Sequence, residues 1–346
     1  MYLMRSLQMN GHQYAMRRVA VIDIGTVTAR LAVADVEGAR VMRLAKNSTI
    51  CDLGEGVAET GRLAQAAMER VFACAGAYVE SAREAGAEVV ACTLTSAARD
   101  ASNSPDLGQA LASLGLEPLV IPGEIEGALT FLGVAQDFPG QRILVADNGG
   151  GSTELACGTL GGGILDLTFV RSTNVGCRRL TELFLSRTNP PSKADLAEAH
   201  AFAARLFSPA IEEGGLRCDG EGAPAALVVT GGTATSLVAI RDELVPYDAS
   251  HVHLATLSAD DVVGLEGRLA SLTVEARAAL PGLQEKRAPV ILGGTIAVSE
   301  LMTQTGFSRL IVSESDLLFG LSITTALTLQ GQPSPVVWKP VLRSLT

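Results

Sequence analysis

Aromatic residues are scarce in this chain, 4% of 346 positions with a single tryptophan. A core must therefore be built from Ala, Val, Leu and Ile, which suits helices laid on a sheet. Positive charge is also short. Lys plus Arg number 27 against 37 Asp plus Glu, a net charge of −10, which excludes a broad basic face for a nucleic-acid duplex. A polyanionic ligand would need local cations or a metal. The six cysteines (Cys51, Cys74, Cys92, Cys157, Cys177 and Cys218) contain no CxxC pair and no secreted-scaffold spacing, so reduced thiols in a cytoplasm are expected. No uninterrupted apolar run reaches the roughly 18 residues needed to span a bilayer. The opening stretch, Met1 to Ala15, lacks a signal-peptide core and reads as a ragged arm or as a misassigned start ahead of Met16.

What the chain does have is a repeated bend. Ile143-Leu-Val-Ala-Asp147-Asn148-Gly149-Gly150-Gly151-Ser152-Thr153-Glu154 is an apolar run that ends in an acid and then three glycines. Such a run is a buried strand entering a turn whose backbone N–H groups suit a phosphate. An earlier copy reads Val19-Ala-Val-Ile-Asp23-Ile-Gly25-Thr26-Val27-Thr28-Ala-Arg30-Leu31. Asp23 aligns with Asp147, Gly25 with Gly149 and Thr28 with Ser152, at a constant offset of 124 residues. A repeat at domain-sized spacing indicates two related halves whose phosphate loops face each other across a cleft. The competing reading is a pair of ordinary glycine turns after buried strands.

The intervening sequence alternates strand and helix signals, as an α/β chain should. Leu63 to Ala85 carries apolar residues at helical spacing and stops at Gly86. Glu88 to Thr93 is a short strand, and Ser96 to Asn103 starts a helix, placing Arg99 just past a strand end, where α/β proteins hold ligands. Gly123-Glu124-Ile125-Glu126 opens another helix, and Pro190-Pro-Ser192 caps a further one running to about Leu206. Leu227 to Leu237 repeats the strand-then-glycine theme at Gly231-Gly232-Thr233, without the acid. This third loop fits either the sugar or base end of a nucleotide or a tight strand-to-helix turn. Val290 to Gly294 and Leu310 to Ser313 read as strands closing the second sheet, before a final helix. His251-Val-His253 would place two imidazoles on one side of a strand, with no third ligand nearby. Cys177 is not a tyrosine-phosphatase nucleophile, because Leu183 stands where that motif needs an arginine.

Several segments together resemble the exopolyphosphatase and guanosine pentaphosphate phosphohydrolase family, within the sugar kinase, heat-shock and actin superfamily. They are Asp23-Ile-Gly-Thr, Thr95-Ser-Ala-Ala-Arg99-Asp-Ala-Ser-Asn103, Gly123-Glu-Ile-Glu126-Gly-Ala-Leu, Asp147 to Glu154, Val175-Gly-Cys-Arg-Arg-Leu-Thr-Glu182 and Gly231-Gly-Thr-Ala. The resemblance implies an α/β fold of two ribonuclease-H-like (actin-like ATPase) domains around a central cleft. We place domain I at 16–138 and domain II at 139–329, its last helix returning to domain I, with flexible tails at 1–15 and 330–346. The implied activity is hydrolysis of a terminal phosphoryl group from inorganic polyphosphate, or of the 5′ γ-phosphate of guanosine pentaphosphate.

Phosphoryl transfer to water needs backbone donors, a divalent cation, a side-chain cation and a base for the water. Gly25, Thr26 and Thr28, with Gly149, Gly150, Gly151, Ser152 and Thr153, would supply the cradle, joined by Gly231, Gly232 and Thr233. Asp23, Asp147 and Glu154 would hold Mg²⁺. Arg99 would contact phosphate, and by the resemblance Glu126 is the general base. Short family members often pair, so a homodimer is the prior; no membrane or duplex nucleic acid is expected as a partner. The chain departs from the family at Val27, where Asn is usual, at Asn148, where Ile or Leu is usual, and at Leu317-Leu318-Phe319-Gly320, where the family has Leu-Arg-Glu-Gly. A kinase or ATPase of the same superfamily, and a sensor that binds polyphosphate or an alarmone without turnover, are the alternatives.

Overall fold

An apolar run ending in Asp23-Ile24 forms β1 (Arg17–Ile24), which bends back into β2 (Thr28–Glu37) and β3 (Arg40–Ile50); β4 (Val89–Leu94) and β5 (Pro118–Val120) follow. A second meander, β6 (Arg142–Asn148), β7 (Thr153–Gly161) and β8 (Ile164–Thr173), precedes β9 (Leu227–Thr230), β10 (Thr256–Ser258), β11 (Arg309–Ser313) and β12 (Arg343–Ser344). These elements come from a computed structural model, which describes residues 15–345. The expected N-terminal arm lies, apart from Ala15, outside the described residues.

Two six-stranded sheets result, ordered β12-β4-β1-β2-β3 with β5 beside β4, and β10-β11-β9-β6-β7-β8. In the first, β1 pairs antiparallel with β2 and parallel with β4. In the second, β6 lies between β7 and its parallel neighbour β9. Each sheet thus carries a meander whose first strand is flanked by a later parallel strand, so the repeat read in the sequence extends to topology. The fold is α/β, as expected. The chain divides into two compact units: one reaches Gln141 and takes back Thr159–Leu167 and the chain from Asp316 onward, while the other holds Arg142–Gly158 and Thr168–Ser315.

Strand alternation sets what each unit buries. On β1, Ala20, Ile22 and Ile24 pack with Val71, Val79, Leu107 and Leu111 of the helices Gln65–Glu84 and Ser104–Ala112. Val19 and Val21 face the opposite layer, with Leu129, Leu132, Leu318 and Leu321 of the helices Gly123–Val134 and Leu317–Leu329. Those two helices approach closely because both carry a glycine at the crossing. A Cβ on Gly133 would lie 2.9 Å from the Phe319 Cβ, and one on Gly320 2.7 Å from the Leu129 carbonyl carbon. In the other unit, Leu144, Ala146 and Val229 pack with Phe207, Leu237 and Ile296.

Three readings need correction. Val290–Gly294 is not a strand but the start of the helix Ile291–Thr305; a short apolar run bears no periodicity that separates a buried strand from a buried helix. His251 and His253 lie in and just after the short helix Ala249–Val252, and they part company. His251 Nε2 meets Asp242 Oδ2 at 2.9 Å, and His253 Nδ1 accepts the Glu314 N–H at 3.2 Å. The tail expected to be loose is tied down in part: Arg343–Ser344 pairs with Val89–Val90 and Val336 is buried, so backbone pairing and apolar burial anchor it. No helix among the described residues is long and apolar enough to cross a membrane.

Candidate active site

In the first unit the bend after β1 is closed by the Gly25 N–H donating to the Thr28 carbonyl at 2.9 Å. The Thr26 carbonyl accepts from the Gly54 N–H at 2.8 Å, and the Val27 carbonyl from those of Cys51 and Asp52, both at 2.9 Å. The segment Cys51–Gly54 therefore holds the back of the loop. Thr26 Oγ1 is buried without a partner, a cost that a ligand oxygen or water would relieve.

Asp23 sits one residue before the end of β1 and is 1% exposed. Strand register gives it two partners. Its antiparallel neighbour is Arg30, which donates to Oδ2 through Nη2 at 2.6 Å and Nε at 3.1 Å. Its parallel neighbour is Thr93, whose hydroxyl donates to Oδ1 at 3.1 Å. Arg30 also reaches Asp316 at 3.1 Å, where the Lys46 ammonium stands at 3.6 Å. Asp23, expected to hold a cation, thus lies in an ion-pair network.

β4 and β5 run parallel, which brings the residues after each of them together. Arg99, on the short helix Ser96–Asp100, donates to the Ile121 carbonyl at 3.0 Å and to Glu126 Oε2 at 2.6 Å. Glu126 is in the first turn of Gly123–Val134 and only 7% exposed. A carboxylate there is more than a helix-dipole ornament on the surface, because a buried charge is kept only when partnered. Arg99 and Glu126 are thus brought together, with the guanidinium oriented by the carboxylate as well as available as a cation.

The second unit repeats the bend. Gly149 N–H donates to the Ser152 carbonyl at 3.0 Å, and a Cβ on either Gly149 or Gly25 would stand 3.2 Å from the carbonyl that closes its turn. Here the backing is the start of the helix Cys177–Leu180. Cys177 N–H donates to Gly149 O at 3.0 Å, Arg178 and Arg179 N–H donate to Gly150 O at 2.9 and 3.2 Å, and Arg179 Nε reaches Gly151 O at 2.8 Å. Thr153 Oγ1 donates to Val175 O at 2.6 Å and accepts from Asn148 Nδ2 at 3.0 Å. Asn148 Oδ1 is buried and unpartnered.

Asp147 pairs in register with Thr230, as Asp23 does with Thr93. Glu154, 2% exposed, accepts the Ser172 hydroxyl at 2.7 Å. By the same offset of 124, Glu154 occupies the position that Arg30 has in the first copy. The first copy therefore sets a cation beside its strand-end acid, and the second sets another acid. The third loop presses on the second. Gly231 has φ +103°, and a Cβ there would lie 2.6 Å from the Asn148 carbonyl oxygen and 3.4 Å from Asp147 Oδ1. A Cβ on Gly232 would lie 2.5 Å from Arg287 Nη2, so a guanidinium rests on this loop.

Arg30, Thr93, Arg287 and the Arg178-Arg179 pair were missed as site residues. Arg30 carried a sequence signal in its alignment with Glu154, and Arg178-Arg179 in the Val175–Glu182 segment that resembles the family; Thr93 and Arg287 carried none. Among the described residues, no group of three or more His, Cys, Asp or Glu side chains is gathered as a ready metal cage.

Comparison with known proteins decides the family. The Ppx/GppA phosphatase family profile matches residues 32–326. Exopolyphosphatase 2 of Mycobacterium tuberculosis is 34% identical over 331 residues, 90% of this chain and 99% of that protein. The chain belongs to the Ppx/GppA phosphatase family. Its fold agrees with that of solved family structures. The Aquifex aeolicus family member has a TM-score of 0.74 at 28% identity, covering 92% of this chain and all of that one. An exopolyphosphatase from Cytophaga hutchinsonii has a TM-score of 0.79 at 25% identity, covering 92% and 99%. The departures at Val27 and Asn148 thus sit within a family member, at loops whose backbone turns are intact.

Proposed function

We propose that this phosphohydrolase, which acts on phosphoric anhydrides, releases terminal phosphate from inorganic polyphosphate and from the 5′ end of guanosine pentaphosphate. The observation that carries the reading is the duplicated bend. Two strand-end acids each precede a glycine turn closed by the same bond, Gly25 to Thr28 and Gly149 to Ser152. Each unit thus carries a glycine turn of the same construction beside a strand-end acid, and to each turn we assign a phosphoryl group.

Glu126 acts as the base. It takes a proton from water as the water oxygen bonds to the terminal phosphorus and the bridging P–O bond breaks. Arg99 orients that carboxylate through its 2.6 Å bond and supplies a positive charge beside the reacting oxygens. Asp147 and Glu154 would hold Mg²⁺ with its waters, since two buried carboxylates plus substrate oxygens suit this hard cation. When bound, the ion would neutralise charge on the phosphate oxygens. Asp23, the third acid expected at the ion, is already held by Arg30. Arg287, over the third loop, suits the next phosphoryl group or a nucleotide end.

Phosphate release from polyphosphate, guanosine pentaphosphate and ATP, each with Mg²⁺ and with chelator, tests the proposal. Release from the first two, lost with chelator and in Glu126→Gln, is expected. Turnover of ATP that requires an acceptor would replace this reading with a kinase, and tight polyphosphate binding without release would replace it with a sensor.

A further inference from the structure

Three parallel neighbours of the second sheet end side by side. Thr230, last in β9, lies in register with Asp147 of β6 on one flank and with Ser313 of β11 on the other. Gly231 and Glu314 therefore leave the sheet as neighbours, at the carboxyl ends of parallel strands, where open α/β sheets hold ligands. Glu314 is tied on two sides. Its backbone N–H donates to His253 Nδ1 at 3.2 Å, and its carboxylate accepts the Tyr247 hydroxyl. Tyr247 itself is 48% exposed, and Val245, two residues earlier, 75%. A tyrosine kept for packing buries its ring; here the hydroxyl is anchored while much of the side chain stays in water. Arg287 rests over Gly232, and Gly231 abuts the Asn148 carbonyl of the second loop. Neither Tyr247 nor Glu314 has a part in the hydrolytic chemistry assigned above.

We propose that Tyr247 and Glu314 form a guanine-recognition site: the base stacks on the Tyr247 ring, and its ring N–H and exocyclic amino group donate to the Glu314 carboxylate. This rests on the proposed hydrolysis of guanosine pentaphosphate and names what recognises the base of that substrate. A carboxylate offers about four acceptor positions, so accepting the Tyr247 hydroxyl leaves room for a pair of adjacent N–H donors, which guanine carries on its Watson–Crick edge. Adenine presents a ring acceptor there, and a carboxylate repels it, so the site selects by repulsion as well as attraction. The Tyr247–Glu314 bond orients ring and carboxylate together before the base arrives, which lowers the ordering cost of binding. Because the third loop presses on the second, a base at Tyr247 leaves its phosphates next to Arg287 and the second glycine turn. Inorganic polyphosphate has neither a ring to stack nor an N–H to donate and does not engage the pair.

The test titrates guanosine diphosphate, adenosine diphosphate and inorganic pyrophosphate into the full chain by calorimetry, beside the variants Tyr247→Ala, Tyr247→Phe and Glu314→Gln, with a thermal melt of each to confirm folding. The parent should bind guanosine diphosphate on the order of tenfold more tightly than adenosine diphosphate. Tyr247→Ala should weaken guanosine diphosphate roughly 10- to 100-fold, well beyond any change for pyrophosphate, and Tyr247→Phe, which keeps the ring, should restore most of that loss. Glu314→Gln should erase the preference for guanine over adenine. Equal affinity of the parent for the two nucleotides, or a Tyr247→Ala loss no larger for guanosine diphosphate than for pyrophosphate, overturns the site. Binding is read without phosphate release, so the two proposals fail separately. A parent that selects guanosine diphosphate but releases nothing from guanosine pentaphosphate keeps the site and loses the activity; a Tyr247→Ala protein that hydrolyses guanosine pentaphosphate with the parent's KM keeps the activity and loses the site.

Discussion

Arg99 Nη1 donates to Glu126 Oε2 at 2.6 Å, joining the residues that follow two parallel strands of one unit. A base held in this way is oriented before substrate arrives, and removing its charge leaves the fold's apolar contacts in place. Glu126→Gln should lower kcat by about 10²- to 10⁴-fold with little change in KM. Arg99→Lys keeps the charge but loses the planar guanidinium whose Nη1 reaches both Ile121 and Glu126, so it should lower kcat by less than the glutamine variant. Steady-state phosphate release measures both. Full activity in Glu126→Gln would remove this residue from the chemistry.

The acids Asp23 and Glu154 should behave differently. Asp23 is neutralised by Arg30, whereas the position aligned with Arg30 in the second copy is Glu154. Glu154→Gln should raise the Mg²⁺ concentration for half-maximal activity by roughly 10- to 100-fold. Asp23→Asn instead removes one of the two carboxylates that hold the Arg30 guanidinium, leaving Asp316, and should cost about 1–3 kcal/mol of stability, read as a lower midpoint in urea. Equal shifts in Mg²⁺ requirement for both variants would show that the acids share one cation.

These contrasts mark where sequence reading reached its limit. The bends were legible because strand, acid and glycine are local and recur at fixed spacing, and Ser192 was legible as a cap because its Asp195 partner lies three residues on. The partners of Asp23 were not, since the β1–β4 register that supplies Thr93 joins residues 70 apart. Arg287 over Gly232 is likewise a tertiary approach with no local signature. The misread Val290–Gly294 run failed for another reason: the helix it opens is buried on every side from Ile291 to Met302 and shows no polar face there from which to read its period.

Backing residues should matter as much as the loops they support. A Cβ on Gly176 would lie 2.6 Å from the Gly151 carbonyl carbon and closer still to Gly150. Gly176→Ala therefore forces the second loop away from the helix that braces it, at a cost of about 1–3 kcal/mol. Gly25→Ala meets only the Thr28 carbonyl, at 3.2 Å, and should be milder. Gly320→Ala has a third character. It pushes the helix Leu317–Leu329 off Leu129, on the helix that carries Glu126, so stability and kcat should fall together. Thermal melts beside phosphate-release rates separate the three. A Gly176→Ala protein as stable and active as the parent would contradict the packing described.

His200 gives the second unit a pH signature. Its Nε2 lies 2.8 Å from Glu266 Oε1 and its Nδ1 3.2 Å from Glu300 Oε2. Only the imidazolium can donate to both carboxylates, because the neutral ring has one N–H. The bond to Glu266 is the main cause raising the His200 pKa, opposed by burial and assisted by Glu300. The folded value is therefore above the unfolded value of about 6.5. The sign follows from linkage: protonation is favoured in the folded state, so the contribution is complete below about pH 6.5 and is lost as pH rises through the folded value. With part of the ring open to solvent, it should be worth roughly 1 kcal/mol. His200→Gln should lower Tm most at about pH 6, and the difference from the parent should shrink steadily toward about pH 9. A difference that stayed constant, or grew with rising pH, would mean that the ring acts there through packing and not through its second proton.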